Sequence, residues 1–119
     1  MRHKMYRYKI GTSAAHRRSL LRNLTVEMIE HGKIKTTLGK CRALKSFLEK
    51  MVTFAREDSI HHRRLASSRL GNNKGAVKRL FENVAPKYKG RSGGYTRIVK
   101  VPDGRVGDGA PMAYISFVE

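Results

Sequence analysis

The sequence predicts an α+β fold: a two-layer single domain in which a small mixed three-stranded sheet packs against about four helices, with a basic arm at the N-terminus. Three observations carry that prediction. Apolar residues recur at helical spacing through most of residues 13 to 86, whereas alternating segments divided by glycine-rich turns follow residue 87. A chain of 119 residues has room for one modest core, and no linker or internal repeat divides it.

Residues 1 to 11 show neither helical nor strand periodicity and read as a basic extended arm that orders on phosphate. A solvated tail is the plainer alternative, but Tyr6 and Tyr8 among the cations suit stacking on bases. Thr12 or Ser13 can cap a first helix running to Glu30, with Leu20, Leu24 and Met28 as its stripe and Leu21 widening it. His31 and Gly32 then form the helix end, a cation followed by a left-handed glycine. Arg17, Arg18 and Arg22 sit on the N-terminal half, where the helix dipole disfavours cations. That local cost hints at an outside anion.

"KIKTT" at 33 to 37 alternates as a short half-buried strand, and Thr37 can cap a second helix over about 38 to 56. Cys41, Leu44, Leu48, Met51, Val52 and Ala55 form its stripe, widened by Phe47. Cys41 lies on that stripe, so a buried structural thiol is expected and a nucleophile is not. Asp58 or Ser59 opens a third helix ending at Gly71. A turn at "GNN" leads to a fourth, with Val77, Leu80, Phe81 and Val84 at i, i+3, i+4 and i+7 and Pro86 as its stop. "PKYKGRSGG" is then a basic loop, "YTRIVKV" a strand, "PDG" a turn, "RVGDGAP" a second glycine-rich loop and "MAYISFV" a last strand with Ala113, Ile115 and Phe117 on one face. In the 95 to 101 strand, Val99 and Val101 share a face with Tyr95 and Arg97, which leaves its buried side open.

Charge narrows the function. With 26 Lys and Arg against nine Asp and Glu, the formal net charge is +17, far beyond what solubility needs, so an anionic partner is expected. A membrane is excluded as that partner: no long apolar run or basic amphipathic helix with Trp and Phe is present, and the basic start leads into no secretory block. One cysteine rules out an intramolecular disulfide and argues against a Cys-based zinc site.

Catalysis finds little support. Glu57 and Asp58 stand at a helix junction, where capping is their expected work. His61 and His62 are adjacent on a helix and point about 100° apart, which disfavours a shared metal and leaves them as RNA-facing donors. "GDG" at 107 to 109 lacks the lysine and following helix of a phosphate-binding loop and reads as a turn. No catalytic residue, metal, cofactor or small-molecule substrate is expected.

The cations carry the positive case. They occur at 17, 18 and 22, at 63, 64 and 69, and at 87, 89, 91, 97, 100 and 105, on an arm, helices and loops together. A helix-turn-helix or basic-zipper reader of DNA would concentrate them on one element, whereas an irregular folded RNA offers phosphates all round. Beside Gly93 and Gly94, Tyr95 fits either a stacking contact or a core position. The alternative from another class is a nonspecific DNA-architectural protein using the same charge, and an enzyme acting on RNA ranks third.

"RSGGYTRIVK" followed by "GDGAPMAYI", with "MRHK", "HRRSLLRNL" and "HGKIKTT" earlier in the same order, resembles the bacterial large-subunit ribosomal protein family numbered seventeen over nearly the whole chain. The resemblance implies an α+β domain that binds and stabilises large-subunit rRNA near the polypeptide tunnel exit, in the cytoplasm, without enzymatic activity. The family pattern carries over to Met1, Arg2, His3, His16, Arg17, Arg22, Asn23, Thr36 and Thr37, and to Arg91, Gly93, Gly94, Tyr95, Thr96, Arg97, Gly107, Asp108 and Met112. The chain departs from it at Cys41, where alanine is usual, at Ser116, often glutamate, and at Tyr6 and Tyr8.

The expected rRNA-binding residues, from charge and resemblance together, begin with Arg2, His3, Lys4, Arg7 and Lys9 of the arm and His16, Arg17, Arg18, Arg22 and Asn23 of the first helix. Lys35, Thr37 and Lys40 follow around the first strand, and Arg63 and Arg64 on the third helix. Lys87, Lys89, Arg91, Gly93, Gly94, Tyr95, Arg97 and Arg105 complete the set. The expected partners are large-subunit rRNA and neighbouring large-subunit ribosomal proteins, with no membrane and no second copy of the chain.

Overall fold

The computed structural model describes residues 13–118. Four α-helices form where the sequence offers an apolar stripe behind a polar cap: α1 Ala14–His31, α2 Leu38–Ala55, α3 Ile60–Arg69 and α4 Lys74–Arg79. Each first turn has orphan N–H groups, and a side-chain oxygen takes one of them in every case. Ser13 accepts from His16 N at 3.1 Å, Thr37 from Lys40 N at 3.4 Å, Ser59 from His62 N at 3.1 Å and Asn73 from Ala76 N at 3.1 Å. The two caps that the sequence left open are therefore Ser13 and Ser59, while Asp58 is occupied elsewhere. At the other end of α1, Gly32 has φ +77°, donates to the Met28 carbonyl at 2.7 Å and so closes the helix as expected.

Three strands, β1 Lys33–Thr37, β2 Thr96–Lys100 and β3 Met112–Phe117, form one sheet in the order β1-β3-β2. The sequence suggests a mixed sheet; both pairings are antiparallel. The reason is that the last strand enters between the first two, so β1 and β2 run the same way without touching. Ile34, Ile98, Ala113 and Ile115 point toward the helices and join Met28, Cys41, Leu44 and Leu48 in one core cluster. That settles the face left open in the sequence: Thr96 and Ile98 turn inward, and Arg97 and Val99 turn to solvent. Lys45 and Glu49 of α2 hold the edge strand, the ammonium donating to Thr96 O at 3.3 Å and the carboxylate accepting from Thr96 Oγ1 at 3.1 Å.

The helical layer is deeper than one helix. Behind α2, Met51, Val52 and Ala55 meet Ala66, Leu70, Val77, Leu80, Phe81, Val84 and Tyr88 in a second cluster. α2 thus lies between two cores and buries seven of its residues, Cys41 among them. The Cys41 thiol faces the Ala113 carbonyl at 3.6 Å, and burial pushes its pKa up, the behaviour of a structural and unreactive thiol.

Two expectations need correction. In α1 the buried residues are Thr25, Met28 and Ile29, while Leu20, Leu21 and Leu24 are only half-buried. Leu21 and Leu24 pack against the sheet-side cluster from its margin, and Leu20 belongs to neither cluster. Pro86 also fails to stop the fourth helix. The chain widens into a π-helical turn, Leu80–Val84, and then tightens into a 3-10 turn, Ala85–Tyr88, with Pro86 near its start. Proline lacks an N–H and is tolerated in a first turn, so this change of pitch carries the backbone past it and buries Tyr88.

Candidate nucleic-acid interface

Five of the acidic side chains have partners within the protein. Asp58 forms a forked pair with Arg63, at 2.6 Å to Nε and 2.9 Å to Nη2, and Asp108 forms one with Arg105. Glu30 meets Arg79 at 3.0 Å, Glu27 meets His31 at 3.3 Å, and Glu49 holds Thr96. Glu27, Glu30 and His31 are also the one group of metal-type side chains found together among the described residues; they are exposed and already engaged in these contacts. None of the four α-helices has an acid in its first turn.

The Arg105–Asp108 pair braces the loop between β2 and β3. Asp108 Oδ1 also accepts from Ala110 N at 3.1 Å, and the Arg105 N–H donates to the Ala110 carbonyl at 2.9 Å. The Arg105 guanidinium holds the Asp108 carboxyl well below the usual carboxylate range. A depressed folded-state pKa contributes stability that is complete above the unfolded value and lost as pH falls through the folded one. The brace is thus expected to persist through ordinary acid titration: an NMR titration should show the Asp108 carboxyl still ionised below the usual carboxylate range, and Arg105→Gln should move its titration back up toward that range.

Several of the residues expected to bind RNA also have structural partners. Tyr95 is fully buried, its ring 5.3 Å from that of Tyr88, its hydroxyl donating to Arg91 O at 3.2 Å and facing Thr53 Oγ1 at 3.3 Å. It precedes β2, so the alternation that exposes Arg97 does not apply to it, and it presents no ring to a base. Thr37 is the cap of α2, and Lys40 is half-buried in that first turn. Arg63 is held by Asp58 and lies 4.9 Å from the Phe81 ring, and Arg105 is held by Asp108, so neither is a free cation. His62 Nδ1 lies 2.9 Å from Ser59 Oγ, so that one ring nitrogen is engaged at the start of α3.

Arg22 has a mixed position. Its stem lies on Gly71, where an added Cβ would come within 2.7 Å of Arg22 Cδ, and its Nε is enclosed with no hydrogen-bond partner. Gly71 has φ +66°, a conformation other residues resist. Gly71→Ala should therefore destabilise the fold by about 1–2 kcal/mol and lift Arg22 from its seat. The shift of the urea midpoint at unchanged slope checks this.

The remaining expected residues are placed on separate elements. His16, Arg18 and Asn23 are exposed along α1, with Arg17 half-buried, and Arg64 is exposed on α3. Lys87, Lys89 and Arg91 are exposed on the 3-10 turn and the loop after it, where Arg91 Nε donates to Gly93 O at 3.1 Å and Gly94 has φ +66°. Lys35 and Arg97 project from the solvent face of the sheet. Arg2, His3, Lys4, Arg7 and Lys9 lie outside the described residues.

The sheet face also holds a residue that charge counting misses. Tyr114 stands on the central strand, paired with Lys35 on one side and Val99 on the other, and Lys33 and Arg97 both pair with Ser116 next to it. Lys33 Nζ lies 4.5 Å and Lys35 Nζ 5.8 Å from the Tyr114 ring centroid. The signal was in the alternation: if Ala113, Ile115 and Phe117 turn inward, Tyr114 and Ser116 must turn out.

One-sided helical cover of a small sheet and cations on every layer define a small, strongly basic α+β protein. The particular family follows from comparison. A profile described as "Ribosomal protein L17" matches residues 20–118. Relatives named "Large ribosomal subunit protein bL17" include those of Neorickettsia sennetsu, 50% identical over 99% of this chain and 100% of its own, and Thermomicrobium roseum, 47% identical over 99% of each. The Persephonella marina protein of that name is 46% identical over 100% of this chain and 96% of its own. The chain belongs to the ribosomal protein L17 family, a structural family and not an enzyme family. Among the described residues no helix is long and apolar enough to cross a membrane.

Proposed function

We propose that this protein is a structural constituent of the bacterial large ribosomal subunit that binds and stabilises large-subunit rRNA near the polypeptide tunnel exit, in the cytoplasm. The carrying observation is that three acids, Glu30, Asp58 and Asp108, are paired with arginines while exposed cations remain on α1, α3, the 87–91 loop and the solvent face of the sheet. Such a protein works by neutralising phosphates that an RNA fold brings close together, and multiple dispersed contacts fit one irregular surface. The whole chain acts as one rRNA-binding domain, with residues 1–11 as a basic arm reaching further phosphates. Neighbouring large-subunit proteins are its other partners. A net charge of +17 opposes self-association, so one copy is expected per site.

Crosslinking with mass spectrometry on intact ribosomes tests this reading. Adducts from residues 16–22, 33–40 and 87–97 to large-subunit rRNA, with protein adducts to chains at the tunnel exit, support it. Absence of the chain from purified large subunits, or its recovery on nucleoid DNA, overturns it.

A further inference from the structure

We propose that the solvent face of the sheet is a stacking platform for unpaired nucleotides of the bound RNA, with Tyr114 under the base and Lys33, Lys35 and Arg97 against the flanking phosphates. This deepens the RNA-binding reading and rests on it. The helices cover only the other face, because Ile34, Ile98, Ala113 and Ile115 all point that way. Tyr114 is 36% exposed and belongs to neither core cluster, so packing does not require an aromatic there. Its neighbours across both pairings are Lys35 and Val99, and cations stand one step along on each edge strand. Val99, 52% exposed, extends the apolar patch beside the ring.

The chemistry selects RNA over a protein for this face. Its residues, Lys33, Lys35, Arg97, Val99, Tyr114 and Ser116, include no acid. A protein partner would have to bring acidic groups to three cations, whereas a nucleotide supplies a flat ring and a negative charge a few ångströms apart. Sheet-borne aromatics flanked by cations bind single-stranded nucleic acid in this way, and the ring tolerates any base because every base has a π face. Two lysines already sit near the ring in the free protein, at 4.5 and 5.8 Å, and can pass to phosphate while the base takes their place.

The chain contains no tryptophan, so Tyr114→Trp in the full-length protein creates a single indole reporter. Titration with large-subunit rRNA should quench it, with an affinity within a few-fold of the parent. Tyr114→Ala should weaken binding by about 5- to 150-fold at fixed salt while leaving the salt slope unchanged. Lys35→Ala should instead lower that slope by about one. An unquenched indole, or a Tyr114→Ala variant that binds like the parent, overturns the platform even if the parent still binds strongly; protection of residue 114 that appears only in assembled subunits would then assign the face to a protein neighbour. Failure of the parent itself to bind rRNA would instead remove the reading beneath it. The unfolding midpoint of each variant, expected to match the parent, excludes misfolding as the cause.

Discussion

Replacing Tyr95 by alanine is expected to lower the unfolding free energy by about 3–5 kcal/mol, the largest effect of any single exposed-looking residue in the sequence. The ring is fully buried against Tyr88, and its hydroxyl ties the Arg91 carbonyl and Thr53 of α2 together. Alanine leaves a ring-sized void and strips a hydrogen bond from a loop whose Arg91 carbonyl also accepts from Arg56. A typical domain has only about 5–15 kcal/mol of stability in total, so the variant could fail to fold. Tyr95→Phe keeps the result interpretable: it preserves the ring and should cost about 0.5–1.5 kcal/mol through the lost hydroxyl. Urea unfolding reads both. Were Tyr95 a stacking residue on the surface, the alanine change would stay within about 0.5 kcal/mol and act on RNA affinity instead.

The affinity of the folded chain for large-subunit rRNA should fall by about three to five orders of magnitude between roughly 50 and 200 mM monovalent salt, the polyelectrolyte response to some 6–10 phosphate contacts. Only cations free of internal acids should contribute to that slope. Lys89→Gln or Arg97→Gln should each reduce it by about one, because both side chains are exposed and carry no ion pair here. The charge-neutral double change Arg63→Gln with Asp58→Asn should leave it where it was, since the two groups already cancel at 2.6 Å. Filter binding or anisotropy across a salt series measures all of these. A flat salt response would contradict phosphate binding altogether, and duplex DNA matching folded rRNA at equal salt would return the DNA-architectural alternative.

Those two results would fall on opposite sides of what could be read from the chain itself. Tyr95 and Tyr114 look alike in sequence, each an aromatic beside small residues at a strand. Their fates separate because Tyr95 lies just before β2, where the chain turns onto α2, and Tyr114 lies inside the alternation of β3. Likewise Arg63 and Arg64 are neighbours, and only the return of Arg63 toward Asp58 before α3 distinguishes the paired cation from the exposed one. Asp58 was legible as a helix-start residue; that Ser59 would take the cap and free Asp58 for an ion pair was not.

What the sequence determined by itself was local and periodic. Four capped helices, three short strands, the left-handed end of α1 at Gly32 and the burial of Cys41 all follow from spacing within a few turns of chain. The excess of positive charge, and with it the expectation of an anionic partner, is a property of composition alone. The tertiary structure decided whatever depends on residues far apart: the insertion of β3 between β1 and β2, the passage of the helix beyond Pro86, and which cations are left unpaired. Hydrogen bonding to near neighbours in the chain is written into short stretches, whereas strand order, ring burial and charge pairing are settled only when distant segments compete for the same space.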